Sequence, residues 1–119
     1  MRKPDNHIIS QDVSLKDAAK QINAGGIGFA AIVDNKKKLV GIITDGDFRR
    51  AILNGVDLIN TKTLTVSNKH FIYIKEGFSQ EEVYNAFRNN KIRHLPVIDD
   101  NGRLVGIFLR DELDAIKSQ

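Results

Sequence analysis

Residues 39–47 read LVGIITDGD. The apolar, β-branched start of this stretch predicts a buried strand, and the FRRAIL run at 48–53 predicts a helix after a short polar turn. The turn delivers two oxygen-bearing side chains, Thr44 and Asp47, to the start of that helix. The start of the strand recurs as LVGI at 104–107, an offset of 65 residues (105 − 40). The recurrence predicts two copies of one structural unit.

The two copies keep an apolar pattern with little sequence identity. At the 65-residue offset, residues 8–51 pair with 73–116 without a gap. Identical residues are few, but the apolar positions that a core needs are matched, which is typical of a duplicated fold. The matched pairs are Val13/Phe78, Ala18/Val83, Ile22/Phe87, Ile32/Val97, Val33/Ile98 and Phe48/Leu113.

Each copy predicts the element order β-α-β-β-α. Ser14 and Ser79 begin capping boxes, in which the serine oxygen and a returning carboxylate satisfy two backbone donors at a helix start. Residues that tolerate positive φ, Gly25-Gly26 and Asn89-Asn90, are expected to end these helices. Two hairpin strands and a closing helix then follow in each copy. The predicted strands are 29–33, 39–43, 95–98 and 104–109, and the predicted closing helices are 47–54 and 111–117.

The predicted fold class is α+β, with two β-α-β-β-α repeats related by a pseudo-twofold. A single repeat leaves one face of its sheet unburied, so we expect the two sheets to pack face to face. The predicted boundaries are residues 6–54 for the first repeat, 55–69 for a connector and 70–117 for the second repeat. Leu64-Thr65-Val66 in the connector favours an extended conformation and is expected to lend an edge strand.

Composition excludes several functional classes. The chain has 119 residues, of which 41% are hydrophobic and 28% charged, as is ordinary for a globular domain. It has no cysteine, so a disulfide framework and a thiolate metal site are excluded. No apolar run approaches the length of a membrane span, and no secretory signal follows Met1. We therefore expect a cytoplasmic location and no membrane partner.

The basic charge balance invites a nucleic-acid interpretation. The net charge is +3, and the one dense cationic run is Lys36-Lys37-Lys38, between two predicted strands. No aromatic side chains accompany it, as a base-stacking surface requires. We therefore expect a solvated hairpin turn and no nucleic-acid partner. The nucleic-acid hypothesis predicts that binding to a generic oligonucleotide falls steeply with salt concentration. A weak preference for anionic small molecules stays open.

Two motifs carry a resemblance to a known family. Residues 41–47 fit the pattern G-h-h-[ST]-x-x-D, and residues 93–99, RHLPVID, fit a basic residue followed by L-P-V-h-D. With the duplicated unit, the chain resembles a tandem CBS-domain pair, or Bateman module. It is similar to modules attached to sugar-nucleotide pyrophosphorylase-like nucleotidyltransferases or to arabinose-5-phosphate isomerases. The resemblance implies a regulatory module that binds an adenosine ligand such as AMP, ADP, ATP or S-adenosylmethionine in the inter-repeat cleft.

The resemblance also implies roles for individual residues. Thr44 and Asp47 become ligands of the ribose hydroxyls. Arg93 and His94 become ligands of the phosphates. Two more residues in the same motifs complete the candidate ligand-binding set, Asp45 and Pro96.

A second, mirror-related site looks impaired. Leu109 and Glu112 occupy the positions that Thr44 and Asp47 have in the first repeat. The positions equivalent to the basic pair of the second repeat are Gly28 and Phe29. We therefore expect one nucleotide per chain.

Structural alternatives exist for the candidate residues. Thr44 and Asp47 also fit a capping box, in which the carboxylate turns back to its own helix start. His94, beside an apolar strand, equally fits a structural histidine. Arg49 and Arg50 are expected to be exposed helix residues.

The functional alternatives follow from the same residues. No catalytic motif occurs, so we expect no enzymatic activity, no catalytic residue, no resident cofactor and no metal. The leading prediction is a regulatory adenosine-nucleotide module that forms a homodimer and controls an attached or associated catalytic domain, most readily a nucleotidyltransferase. The alternative is a dimerisation module without a ligand.

Overall fold

The computed structural model describes residues 1–113 of the chain. They form two compact units. The first unit contains Asp5–Phe71, and the second contains Met1–Pro4 together with the chain from Ile72 onward.

The first unit is a three-stranded sheet with helices. The central strand is β2 (Phe29–Val33), which is parallel to β1 (Ile8–Ser10) and antiparallel to β3 (Leu39–Thr44). The core contains Leu15, Ala18 and Ile22 from one face of α1, since these residues recur at helical spacing. The elements are β1 (Ile8–Ser10), α1 (Leu15–Gly25), β2 (Phe29–Val33), β3 (Leu39–Thr44), α2 (Asp45–Leu53) and the single turn α3 (Thr63–Val66).

The second unit repeats this order. Strand β5 lies between β4, to which it is parallel, and β6, to which it is antiparallel. Even the irregularity of the central hairpin is repeated, between Ile32 and Val33 in one unit and between Val97 and Ile98 in the other. The elements are β4 (Ile74–Lys75), α4 (Gln80–Asn89), β5 (His94–Ile98) and β6 (Leu104–Leu109), followed by a 3-10 turn, Arg110–Glu112. The predicted α+β class with two β-α-β-β repeats is confirmed.

The closing helices differ from their predicted limits. Helix α2 begins at Asp45, two residues before the predicted start, because Thr44 takes the N-cap position in an extended conformation. In the second unit the predicted helix 111–117 begins as the 3-10 turn, and residues 114–117 lie outside the described residues.

The predicted helix caps are confirmed at three of four ends. Ser14 accepts a hydrogen bond from the Asp17 N–H at 3.2 Å, and Ser79 accepts one from the Glu82 N–H at 3.2 Å. Gly26 ends α1 in the left-handed region, with φ of 77°. Helix α4 ends at Asn89–Asn90 as predicted, but Asn90 is extended, with φ of −136°, and forms no left-handed cap. The side chain of Arg110 contacts this end of α4 instead.

The outer edges of β3 and β6 are each covered by one residue. Asn68 exchanges backbone hydrogen bonds with Ile42, and Arg2 does the same with Ile107 at the equivalent position of the second unit. The expected edge strand at residues 64–66 was wrong, because these residues form α3. Ser67 can lie this close to β3 because residue 41 is Gly41, where a Cβ atom would lie 2.7 Å from Ser67 Oγ.

An aspartate organises the hairpin loop of each unit. Asp34 Oδ1 accepts hydrogen bonds from the backbone N–H groups of Lys36 at 2.8 Å and Lys38 at 3.0 Å. Asp99 Oδ1 binds the equivalent groups of Asn101 and Arg103 at 2.9 and 3.0 Å. The run 36–38 is therefore an ordered hairpin turn.

The Asp34 loop should make stability depend on acid pH. The Lys38 N–H, with a smaller effect of the Lys36 N–H, lowers the pKa of Asp34 below its ordinary value of 3.8 despite some desolvation. The folded pKa is thus below the unfolded one, so the stabilisation is present above pH 3.8 and is lost as pH falls through the folded pKa. Asp34→Ala should lower the free energy of unfolding at pH 7 and flatten its decline in acid, as urea titrations between pH 7 and 3 would show. An unchanged acid decline would contradict this.

Candidate functional site

Thr44 and Asp47 meet at the junction of β3 and α2. Asp47 Oδ2 accepts a hydrogen bond from the Thr44 backbone N–H at 2.9 Å and one from Thr44 Oγ1 at 3.2 Å. The carboxylate therefore turns back to the start of its own helix, as the capping alternative predicts. The arrangement holds a negative charge at a helix N-terminus, where the helix dipole stabilises it.

The second oxygen of Asp47 is also engaged. Arg50 Nη2 lies 2.6 Å from Asp47 Oδ1, and the arginine side chain is 66% exposed while that of the aspartate is 16% exposed. An ion pair with such an exposed partner contributes about 0–1 kcal/mol. Arg50 is therefore exposed, as expected, but it is also the residue that a ligand of Asp47 would have to displace.

The carboxylate of Asp45 lies so close to a glycine that no larger residue would fit there without a shift of the carboxylate. The Asp45 N–H donates to the Gly28 carbonyl at 3.2 Å. Gly28 has φ of +65°, and a Cβ atom there would lie 2.7 Å from Asp45 Oδ2. Asp45 also lines a cavity of about 530 Å³ within the first unit, whose walls are mainly apolar side chains of α1 and α2.

The basic motif lies at the start of β5. Arg93 is exposed and directly precedes the strand, and half-buried His94 is its first residue, paired with Leu109. Pro96 is fully buried. It precedes the residues of β5 that pair with β4, so its missing N–H removes no bond between those two strands.

Arg110 supports the segment that carries the basic motif, and the sequence analysis did not identify it. Its Nε donates to the Ile92 carbonyl at 2.7 Å, and its Nη2 donates to the carbonyls of Phe87 at 2.5 Å and Asn90 at 2.9 Å. The guanidinium also lies 5.3 Å from the centre of the Phe87 ring. Arg110 thus satisfies the carboxyl end of α4 and fixes the segment that leads to Arg93.

The repeat offset was the signal that could have found Arg110. Position 110 is equivalent to position 45, and the two units share one backbone hydrogen bond there. The Arg110 N–H donates to the Arg93 carbonyl at 2.9 Å, as the Asp45 N–H donates to Gly28. A cation thus stands where the first unit has a carboxylate.

The candidate residues form two groups. Thr44, Asp45 and Asp47 come together at one helix start in the first unit, whereas Arg93, His94 and Pro96 lie at the start of β5 in the second unit, Arg93 directly before the strand. Within residues 1–113, no cluster of three or more histidine, aspartate or glutamate side chains could hold a metal ion. No helix in the same range is long and apolar enough to cross a membrane.

Comparisons with known proteins agree on one family. A family model, described as the CBS domain, matches residues 1–54 and 64–115. The chain is 32% identical over 107 residues to the arabinose 5-phosphate isomerase KdsD of Yersinia pestis, covering 90% of this chain and 33% of that protein. It is 33% identical over 106 residues to an inosine-5'-monophosphate dehydrogenase of Methanocaldococcus jannaschii, covering 88% of this chain and 20% of that protein. The chain thus spans a third or less of these two relatives.

The fold agrees with solved structures as well. A CBS-domain protein from Pyrobaculum aerophilum, complexed with AMP, superposes with a TM-score of 0.81 at 20% identity. The superposition covers 100% of this chain and 95% of that one.

Proposed function

Because the chain belongs to the CBS-domain family, we propose that it is a regulatory module that binds an adenosine nucleotide and controls a catalytic domain attached to it or associated with it. The family's domain pair is a binding and regulatory module, and not itself a catalytic domain. AMP, ADP and ATP are the proposed ligands, with one nucleotide per chain. The complex of the Pyrobaculum protein with AMP supports this choice.

The proposed catalytic partner follows from the relatives. Both the isomerase and the dehydrogenase extend well beyond the part that this chain matches. This supports a catalytic domain joined to the module in a longer protein. The likeness to the Yersinia pestis isomerase supports a sugar-phosphate isomerase as the partner, beside the nucleotidyltransferase that the motifs suggest.

The observation that carries the proposal is the state of the Asp47 carboxylate. It is largely buried, yet among residues 1–113 one of its oxygens is bound by the exposed Arg50 alone. An aspartate can accept both vicinal hydroxyls of a ribose, and hydrogen bonds to a charged group contribute about 1.5–3 kcal/mol each. Displacing an exposed ion pair forfeits about 0–1 kcal/mol. Ribose hydroxyls can therefore compete with Arg50 for Asp47.

The other candidate residues have proposed roles around the same nucleotide. Thr44 adds a hydroxyl to the ribose contacts, and Asp45 shapes the adjoining wall. Arg93 binds phosphate, because a guanidinium stays charged at physiological pH and grips phosphate oxygens in pairs. His94 assists with phosphate, and buried Pro96 fixes the strand that carries both. Nucleotide then shifts the population between two arrangements of the module, by no more than its difference in affinity for them.

The alternative function is a dimerisation module without a ligand. The internal hydrogen bonds of Asp47 favour it, since they satisfy the carboxylate without ribose. Three large apolar side chains of the first unit, Ile52, Leu53 and Ile59, are exposed and also support a homodimer.

Calorimetric titration of the full chain separates the two functions. AMP, ADP, ATP and S-adenosylmethionine are titrated into the native chain and into Asp47→Ala. We expect one nucleotide per chain and a loss of affinity of about tenfold or more in the variant, because a charge-assisted contact to ribose is removed. Asp47→Ala should also lower the free energy of unfolding by about 0.5–2 kcal/mol, the usual effect of losing a cap.

Asp17→Ala is the matched control for this titration. Asp17 holds the same position in the first turn of α1 that Asp47 holds in α2. It should leave nucleotide affinity unchanged. An equal loss in both variants, or no heat with any ligand at millimolar concentration, would reject the adenosine site and favour the dimerisation module, whose dimer would persist in sedimentation experiments without nucleotide.

A further inference from the structure

The two units contain equivalent cavities that differ in charge. The cavity of the first unit, about 530 Å³, is lined by Asn23, Gly26, Gly28 and Asp45 at four positions of its rim. The equivalent positions of the second unit carry four cations, and they line a cavity of about 550 Å³. These cations are Arg88, Lys91, Arg93 and Arg110. Duplication has thus kept the cavity while its chemistry diverged.

The second cavity, which we call the basic pocket, holds an excess of positive charge. Asp111 is the one carboxylate in its lining, so the four cations leave a formal charge of +3. This equals the net charge of the whole chain. Such a concentration of one sign in a concave surface attracts ions of the opposite sign.

The structure leaves three of these cations without an internal counterion. Arg110 is committed to carbonyls at the end of α4, where it offsets the negative helix end. Arg88, Lys91 and Arg93 are exposed, and none of them forms an ion pair with another residue in the range 1–113. Cations that line one cavity repel one another, and an anion bound between them reduces this repulsion.

We propose that the basic pocket binds a chain of phosphate groups, with Arg88 and Lys91 adding contacts beyond the phosphate that Arg93 reaches. Guanidinium and ammonium groups are the side chains that bind phosphate oxygens most strongly. Three such groups match the charge of a di- or triphosphate better than that of a monophosphate. The pocket therefore makes the module selective for the length of the phosphate chain. That this chain is the tail of a nucleotide rests on the proposed function, whereas the pocket itself does not.

The test uses tripolyphosphate, ATP and AMP with the full chain. Arg88→Gln with Lys91→Gln removes two exposed charges and leaves Arg93 in place. The double variant should bind tripolyphosphate and ATP about tenfold or more weakly, because two charge-assisted contacts are lost. AMP affinity should stay within about twofold of the native value, since its single phosphate does not extend to Arg88 and Lys91. Unchanged circular dichroism and melting temperature confirm folding, as both side chains are exposed.

Lys36→Gln with Lys38→Gln is the matched control. It removes the same net charge from an exposed turn of the first unit and should leave all three affinities unchanged. Equal losses in the two double variants, or no binding of tripolyphosphate and ATP to the native chain, would overturn the proposal. Binding of tripolyphosphate that Arg88→Gln with Lys91→Gln abolishes, without any binding of ATP or AMP, would support the basic pocket and reject the adenosine function.

Discussion

Phe87→Ala should lower the free energy of unfolding by about 3–5 kcal/mol, the range observed when a buried phenylalanine is truncated. The Phe87 side chain is only 2% exposed, and it packs in one core with Val83, Leu95, Val97 and Phe108. The Phe78 and Phe108 rings make an edge-to-face contact at the edge of that core. We expect this contact to limit how far the core can close around the space that Phe87→Ala would leave. Urea titration followed by circular dichroism measures the loss.

Phe87→Leu is the control for this substitution. It keeps most of the apolar volume, so it should lower the free energy of unfolding by less than about 1.5 kcal/mol. If alanine and leucine give equal losses, or if alanine costs less than about 1 kcal/mol, the core around Phe87 is not packed as described.

Arg110→Gln should lower the free energy of unfolding by about 2–4 kcal/mol, because it removes three charge-assisted hydrogen bonds from partly buried carbonyls. Asn90 gives α4 no left-handed cap, so these carbonyls depend on Arg110. Arg110→Lys keeps the charge but loses the planar fork, and we expect it to recover less than half of the loss. Thermal and urea unfolding measure both variants.

A double-mutant cycle separates the hydrogen bonds of Arg110 from its contact with the Phe87 ring. The ring contact predicts a coupling of about 0.5–1 kcal/mol between Arg110→Gln and Phe87→Leu. Strict additivity would mean that Arg110 acts on the carbonyls alone. A loss below about 0.5 kcal/mol for Arg110→Gln would show that water replaces it at the helix end.

The repeated apolar pattern was enough to predict the central elements of both units. Alternation and helical spacing depend on neighbouring residues, so α1, α4 and the two hairpins follow from local sequence. The ends that were predicted wrongly depend on residues far away in the chain. Asn90 is extended where a positive φ was predicted, and Arg110, 20 residues later, contacts its carbonyl. The residues 64–66 have β propensity but form a helical turn, since propensity is weaker than tertiary context.

The candidate site was predictable to the level of motifs. The spacing of Thr44 and Asp47 predicted a capping box, while the family resemblance implied a ribose site, and the hydrogen bonds within residues 44–47 establish the cap. The ribose role stays a prediction, because it concerns a ligand and not a local conformation. The ion pair of Asp47 with Arg50 was not predicted, because an exposed arginine has many rotamers of similar energy and sequence does not select among them.

The backbone pairing of Arg2 with Ile107 has a consequence for the order of events during biosynthesis. Residues 5–71 can complete their own unit soon after they leave the ribosome, but the four residues before them cannot yet pair. Arg2 contacts Glu112 across 110 residues of chain, so residues 1–4 find their partners only after the second unit has been made. When this pairing is absent, the edge of β6 is uncovered and can pair with another nascent chain. Substitutions of residues 1–4 that weaken this pairing should therefore act on the second unit, and they should raise aggregation during synthesis more than they lower the stability of the finished first unit.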